Sequence, residues 1–357
     1  MAIIKDYFPG GNTGEGFFSY YDYVVRNDAN RIFLLKGGPG TGKSSLMKNI
    51  GKEFSSRDFD IEYHHCSSDN NGIDAVVIPK LKVALIDATA PHTIPAKNPG
   101  SVDEIINLGE FWDVKKMEEN KEDVIFITSR VSRSFKRVYK YLKAAKMIIE
   151  DSIELNASFM DFGKINLETN EFISEIFMGN TYSDKLGYAR HLFGSSYTPA
   201  GFVSYTDSIL STATQIHSIK GDMGTGKTTL LKKIYESAIE RGLDVEVLHT
   251  PLIPEKIETV FIKGINVGIT IDEKFFNKNK TLNLNKYRNE DLYNLYKEQI
   301  EEDKKISGNL IEKAVENIRR SKSLHDELEK YYVNNIDFEK VDNLTNEIIK
   351  RIESYIK

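Results

Sequence analysis

Short apolar runs and helical periodicity alternate through the first part of each half of the chain. Ile32-Phe33-Leu34-Leu35 is too short for a helix and ends at a glycine-rich stretch, which predicts a buried strand; Ile216 to Ile219 is its weaker counterpart. After each glycine stretch, apolar residues recur at helical spacing, as Leu46, Met47 and Ile50 and again as Leu230, Leu231 and Ile234. Ile61-Glu62-Tyr63 and Val245-Glu246-Val247 then predict second strands. Ala75 to Ile78 and Thr259 to Ile262 predict third strands, and Val83 to Asp87 and Val267 to Asp272 fourth. Strands and crossover helices in this order predict a mainly parallel, three-layer α/β/α sheet in each half.

The last third of each half changes character. Charged residues dominate there, with Leu292, Leu295, Ile306, Leu310, Ala314, Val315 and Ile318 spaced by threes and fours, the signature of amphipathic helices. Residues 112–177 and 287–356 are expected to form helical hairpins, with a break at Ser307-Gly308-Asn309. Each hairpin is expected to pack on its own sheet through its apolar stripe; a lid or partner-binding arm is the alternative.

These parallels reflect an internal repeat. Gly16-Phe17-Phe18-Ser19-Tyr20 returns as Gly201-Phe202-Val203-Ser204-Tyr205, Asp60-Ile61-Glu62 with His65 as Asp244-Val245-Glu246 with His249, and Asp161-Phe162 as Asp337-Phe338. Turn formers at Gly179-Asn180-Thr181-Tyr182-Ser183-Asp184 mark the boundary, giving domains at 1–182 and 183–357.

A formal net charge of -5 argues against a global field for nucleic acid or anionic membrane, and no run is long and apolar enough to predict a transmembrane helix. The single cysteine, Cys66, has no internal disulfide partner, and the charge at Lys5 comes too early for a signal-peptide core; a reduced, cytoplasmic setting is expected.

The glycine stretches carry the chemistry. Gly37-Gly38-Pro39-Gly40-Thr41-Gly42-Lys43-Ser44, followed by Ser45, recurs as Gly221-Asp222-Met223-Gly224-Thr225-Gly226-Lys227-Thr228, followed by Thr229. Glycines in a P-loop of this spacing let backbone N–H groups converge on phosphate oxygens, the lysine reaches the β- and γ-phosphates, and the terminal hydroxyl binds Mg²⁺. Lys43 and Lys227 are the expected catalytic cations. The metal needs a carboxylate at the end of a neighbouring strand, for which Asp87 and Asp272 are the candidates beside Ser44 and Thr228. Counting from the glycine stretches aligns Asp87 with Ile271, so Asp272 requires a slip of one residue, which reverses the side-chain face in a strand. Glu273 is the candidate to orient attacking water in the second half; Asp69, His65 and His92 are the candidates in the first.

Other readings are weaker. His64, His65, Cys66 and His92 offer zinc ligand types but no standard zinc spacing. Asn120-Lys121-Glu122-Asp123 matches a guanine-reading pattern in a helical context, so ATP is preferred to GTP. Phe17, Tyr20, Phe202 and Tyr205 are expected to pack in the core rather than stack a base. Arg130, Arg133, Arg137 and Arg190 are available as charge donors, none of them assigned.

Tyr7-Phe8-Pro9-Gly10-Gly11-Asn12-Thr13, the Gly37 to Ser44 loop, His65-Cys66-Ser67-Ser68-Asp69-Asn70 and Asp87-Ala88-Thr89-Ala90-Pro91-His92 together resemble the tandem P-loop proteins of Gram-positive bacteria, described as ATPases of unassigned physiological role. The resemblance spans nearly the whole chain and places Asp87 and His92 on that family's strand-end motif. It departs in the second half, where Asp272 is followed by Glu273-Lys274-Phe275-Phe276. Gly221-Asp222-Met223-Gly224 is similar to the loop of small ATPases of tRNA threonylcarbamoylation, so Asp222 is compatible with phosphate binding. The expectation is an ATP- and Mg²⁺-dependent P-loop ATPase in two tandem domains. The alternatives are a kinase acting on a small-molecule phosphate acceptor and a nucleotide-dependent switch engaging a protein partner.

Overall fold

The computed structural model describes residues 2–89 and 94–356. The first half runs β1 (Ile4–Tyr7), β2 (Gly10–Thr13), β3 (Gly16–Ser19), β4 (Arg31–Lys36), α1 (Lys43–Ser56), β5 (Ile61–Cys66), β6 (Asp69–Ile78), β7 (Val83–Asp87), β8 (Asp103–Asn107), α2 (Val114–Glu119), α3 (Lys121–Ala157) and α4 (Phe162–Ile176). The second half repeats it as β9 (Ala189–Phe193), β10 (Ser195–Thr198), β11 (Gly201–Ser204), α5 (Thr206–Ile209), β12 (Gln215–Lys220), α6 (Lys227–Glu240), β13 (Val245–His249), β14 (Ile257–Ile262), β15 (Val267–Thr270), β16 (Thr281–Asn283), α7 (Glu290–Val333) and α8 (Phe338–Glu353).

Each half builds a six-stranded sheet of the same topology, β1-β5-β6-β7-β4-β8 and β9-β13-β14-β15-β12-β16. The protein is therefore mixed α/β, with three of the five pairings in each sheet parallel. The expected crossover helices do not join every pair of consecutive strands. The third strands, β6 and β14, run antiparallel to both neighbours, because Ser67-Ser68 joins β5 to β6 directly and no helix lies between β13 and β14. Connections without a crossover can only reverse the chain.

A second correction concerns the hairpins, which pack across the repeat. Val341, Ile348 and Ile352 of α8 are buried against Phe33, Leu46, Met47 and Ile50 of the first sheet and α1. Ile165 and Phe172 of α4 are buried against Ile219, Leu230, Leu231 and Ile234 of the second sheet and α6. The reason is length: α7, with 44 residues, extends about 66 Å and delivers its chain end to the opposite sheet. No break occurs at Ser307-Gly308-Asn309, which lie inside α7; a glycine there costs only about 1 kcal/mol of helix propensity. α3 and α7 lie antiparallel, with Ser134 Oγ donating to the Asn317 carbonyl at 3.2 Å and Ser152 to Asp303 at 3.2 Å.

The sheets meet at Phe8 and Phe193, equivalent residues that exchange two backbone hydrogen bonds of 3.0 and 3.1 Å. Reciprocal ion pairs flank them. Arg190 of β9 grips Glu62 of β5 at 2.7 and 2.9 Å, and Lys5 of β1 lies 3.6 Å from Glu246 of β13. Arg190 also donates to the carbonyls of Tyr23 and Val24, so its guanidinium is spent between the halves and not at a reaction centre. Among the described residues no helix is long and apolar enough to cross a membrane.

Candidate functional site

The two glycine loops occupy equivalent places, each between a strand that is parallel to both its neighbours and the helix that follows it. In the first, Gly40 and Gly42 take φ of 67° and 85°; in the second, Gly224 and Gly226 take 82° and 91°. These are left-handed conformations that favour glycine. Gly42 and Gly226 are the N-cap residues of α1 and α6, so the orphan N–H groups and positive dipole end of each helix sit at the loop. Buried Thr41 and Thr225 lock the loops, donating to the carbonyls of Gly38 and Asp222 at 2.9 Å.

At the first loop Lys43 is buried, with Nζ donating to the carbonyls of Gly37 and Gly38 at 2.9 and 2.8 Å and lying 3.6 Å from Asp87 Oδ2. Asp87 ends β7, in register with Leu35 of β4, two residues before the loop. Its other oxygen accepts from the Thr89 N–H at 2.9 Å, and the Thr89 hydroxyl donates to Gly37 O at 3.0 Å, tying the carboxylate to the loop. Ser44 Oγ accepts the Ile73 N–H at 3.1 Å and keeps a lone pair for a further partner. Lysine and carboxylate thus stand within ion-pair distance, and Ser44 follows Lys43 in the first turn of α1.

The second loop differs. Lys227 donates to the carbonyls of Gly221 and Asp222 at 2.5 and 2.6 Å but has no carboxylate ion pair among the described residues. Burial lowers its ammonium pKa to about 8, against the raising effect of Asp222. Pairing of Ser218 with Thr270 puts Ile271, not Asp272, in the register of Asp87. Asp272 lies one residue on and caps a short 3-10 turn, Glu273–Phe275, by accepting the Lys274 N–H at 3.0 Å. Phe275 anchors that turn in a cluster with Leu210, Ile216 and Phe261, and Glu273 is exposed on it. Thr228 follows Lys227 in the first turn of α6, as Ser44 follows Lys43.

A further difference links two positions. A Cβ at Gly38 would come within 2.7 Å of the Tyr332 ring and 3.1 Å of Trp112. At the second loop the equivalent of Gly38 is Asp222, and the equivalent of Trp112 is Arg288, whose guanidinium meets the Asp222 carboxylate at 2.6 Å. An aromatic contact on one loop is thus an ion pair on the other.

Sequence reasoning missed what lies over the loops. A Cβ on Gly40 would stand 2.6 Å from Val333 and 2.7 Å from Glu329 in the last turns of α7; one on Gly224 would stand 2.4 Å from the Ile153 carbonyl of α3. Each loop is therefore covered by the long helix of the other half. The only signal in the sequence was the presence of glycine itself, which does not name its neighbour.

The described histidine candidates are held by partners within the fold. His65 Nε2 lies 2.8 Å from Asp6, and its counterpart His249 lies 2.9 Å from His191, the equivalent of Asp6; both join an edge strand to its neighbour. His64 is buried and stacks on Tyr7, so adjacent strand positions point His64 and His65 apart and no zinc set forms from them. Burial raises the Cys66 thiol pKa well above its usual value. Asp69 is 3.4 Å from Lys322, and His92 lies outside the described residues. Tyr20 stacks on His249 and Tyr205 on Phe8, which assigns both rings to the contact between halves; Phe17 packs beside Tyr21, but Phe202, expected in the core, is instead exposed on the short β10-β11 hairpin. No family model, curated protein or solved structure matches the chain.

Proposed function

We propose that the protein binds ATP at its glycine loops and hydrolyses it at the first, with the second serving mainly to bind. The observation that carries this reading is the convergence of Lys43 and Asp87 at 3.6 Å beneath a loop whose glycines are left-handed and whose N–H groups open onto the start of α1. Ser44 and Asp87 would hold Mg²⁺, which neutralises charge on the triphosphate when bound. The backbone N–H groups of the loop bind the phosphate oxygens, while Lys43 exchanges its loop carbonyls for the transferring phosphoryl group and stabilises the charge that develops there. At the second loop Thr228 retains the hydroxyl, but Asp272 is displaced from the register of Asp87, so binding without comparable turnover is the reading there.

A switch is the second reading, favoured by one observation. α7 begins where Arg288 meets the second loop and ends where Glu329 and Val333 cover the first, so one rigid element touches both. Hydrolysis at one loop and movement at the other are compatible.

The test is equilibrium binding of ATP with Mg²⁺ and phosphate release by wild type, K43A and K227A. K43A is expected to lose release by about a hundredfold or more, the scale of removing one charge-stabilising donor, and to bind one nucleotide fewer. K227A is expected to lose one nucleotide and keep release. Undiminished release by K43A would overturn the assignment.

A further inference from the structure

Away from both loops, a cavity of about 340 Å³ opens between α3 and α7. Arg130, Arg133 and Arg137 line it from successive turns of α3, Arg320 faces them from α7, and Ser134, Asn317 and Leu324 complete its wall. A second cavity of about 410 Å³ shares Arg137, Asn317 and Arg320 and adds Tyr141, Lys313 and the carboxylate of Glu316.

The charge is poorly compensated. Arg130 has Glu327 at 3.9 Å, and Arg137 donates to the Tyr141 hydroxyl at 3.0 Å. Among the described residues Arg133 and Arg320 have no ion pair. Lys313 is already paired with Glu316 at 2.9 Å. Like charges one turn apart destabilise a helix, and four guanidiniums around one small space repel one another, so packing alone does not favour the cluster.

Nor does the fold require it. α7 has the same 44-residue span as α2 and α3 together, so the repeat can be read position by position. Ile306, Asn309 and Lys313 stand at the equivalents of Arg130, Arg133 and Arg137, and Ala144 at that of Arg320. The positions equivalent to Arg130, Arg133 and Arg320 therefore carry no cation on the other side of the helix pair.

We propose that this pocket binds a compact polyphosphorylated small molecule. Guanidinium forks match phosphate oxygens two at a time, and several of them call for more than one phosphate group. The volume is that of a small-molecule site. Nucleic acid is disfavoured, because the cations converge into a concavity rather than track along a face, on a chain whose net charge is -5.

The probe is inorganic tripolyphosphate, titrated calorimetrically into K43A/K227A, so that the glycine loops do not contribute, and into the same protein carrying R133A/R320A. The expected result is one bound tripolyphosphate, weakened at least about tenfold by removing the two arginines, with unchanged thermal unfolding. Equal binding with and without the arginines would overturn the proposal, as would absence of binding. Tighter binding of a short single-stranded oligonucleotide, lost on the same substitution, would assign the pocket to nucleic acid instead and also overturn it. Should the quadruple variant fail to fold, phenylglyoxal modification of wild-type Arg133 is read by mass spectrometry. Protection by tripolyphosphate in the presence of saturating ATP supports the site, and equal modification in its absence counts against it.

Discussion

Arg288 meets Asp222 at 2.6 Å at the rim of the second glycine loop, where the first loop has Trp112 over Gly38. The pair neutralises a carboxylate that would otherwise repel phosphate. R288A is therefore expected to weaken nucleotide binding at the second loop by about three- to tenfold, the effect of exposing one nearby charge at about 1 kcal/mol. D222G should preserve or improve it. Both are read by ATP titration in a K43A background, and an R288A protein that binds as tightly as its parent would contradict the electrostatic account.

Asp87 is tied to the first loop through Thr89 and sits beside Lys43. D87N keeps the shape and removes the charge. On the proposed reading it should cut phosphate release at least about a hundredfold while changing thermal stability little, whereas D272N should leave release near the wild-type rate. The ratio of the two rates, measured at saturating ATP and Mg²⁺, checks the inequality of the two sites.

The exchange of hairpins makes each half depend on the other. Ile348 of α8 is fully buried against the first sheet and Phe172 of α4 almost fully against the second. I348A should cost about 2–5 kcal/mol and F172A about 3–5 kcal/mol in denaturant unfolding. Residues 1–182 and 183–357 produced separately should each be unstable and should recover structure when mixed; two independently stable, non-associating halves would contradict the exchanged packing.

Glu258 lies half-buried on β14, accepts from Ser195 at 2.8 and 3.0 Å, and has its pKa raised to about 8, chiefly by desolvation and further by Asp272. In the unfolded chain it releases its proton near 4.5, the ordinary value. Between these two values the folded protein holds more protons than the unfolded one, so this group's stabilisation is complete below about pH 4.5 and is lost as pH rises towards 8. The loss approaches about 1.4 kcal/mol per pH unit within that window. E258Q should flatten this part of the profile and melt above wild type at pH 8. An unchanged slope in the variant would assign the pH dependence to other groups.

His249 has the opposite sign. Burial and neighbouring His191 lower its pKa to about 3, below the ordinary 6.5. Its contribution is intact above pH 6.5 and fades as the pH falls towards 3, because the unfolded chain takes up the proton first. H249Q should lose stability less steeply on acidification from pH 6.5, as followed by thermal melts.

Local chemistry and periodicity determined much of this protein from sequence. The glycine loops, the helix starts at Lys43 and Lys227, the strands from Ile32 and Val83, and the inequality of Asp87 and Asp272 are all readable, because turn geometry, helix capping and strand alternation act over a few residues. The edge strands β1 and β9 carry too few apolar residues to stand out, and their partners lie about sixty residues away. Tertiary structure alone decided which sheet each hairpin covers, that Phe8 meets Phe193, that Glu329 and Ile153 cover loops in the opposite halves, and that Arg320 faces Arg133. An amphipathic pattern specifies that a face must be buried but does not name its partner. Here the length of two rigid helices makes that choice, carrying each chain past its own sheet to the other.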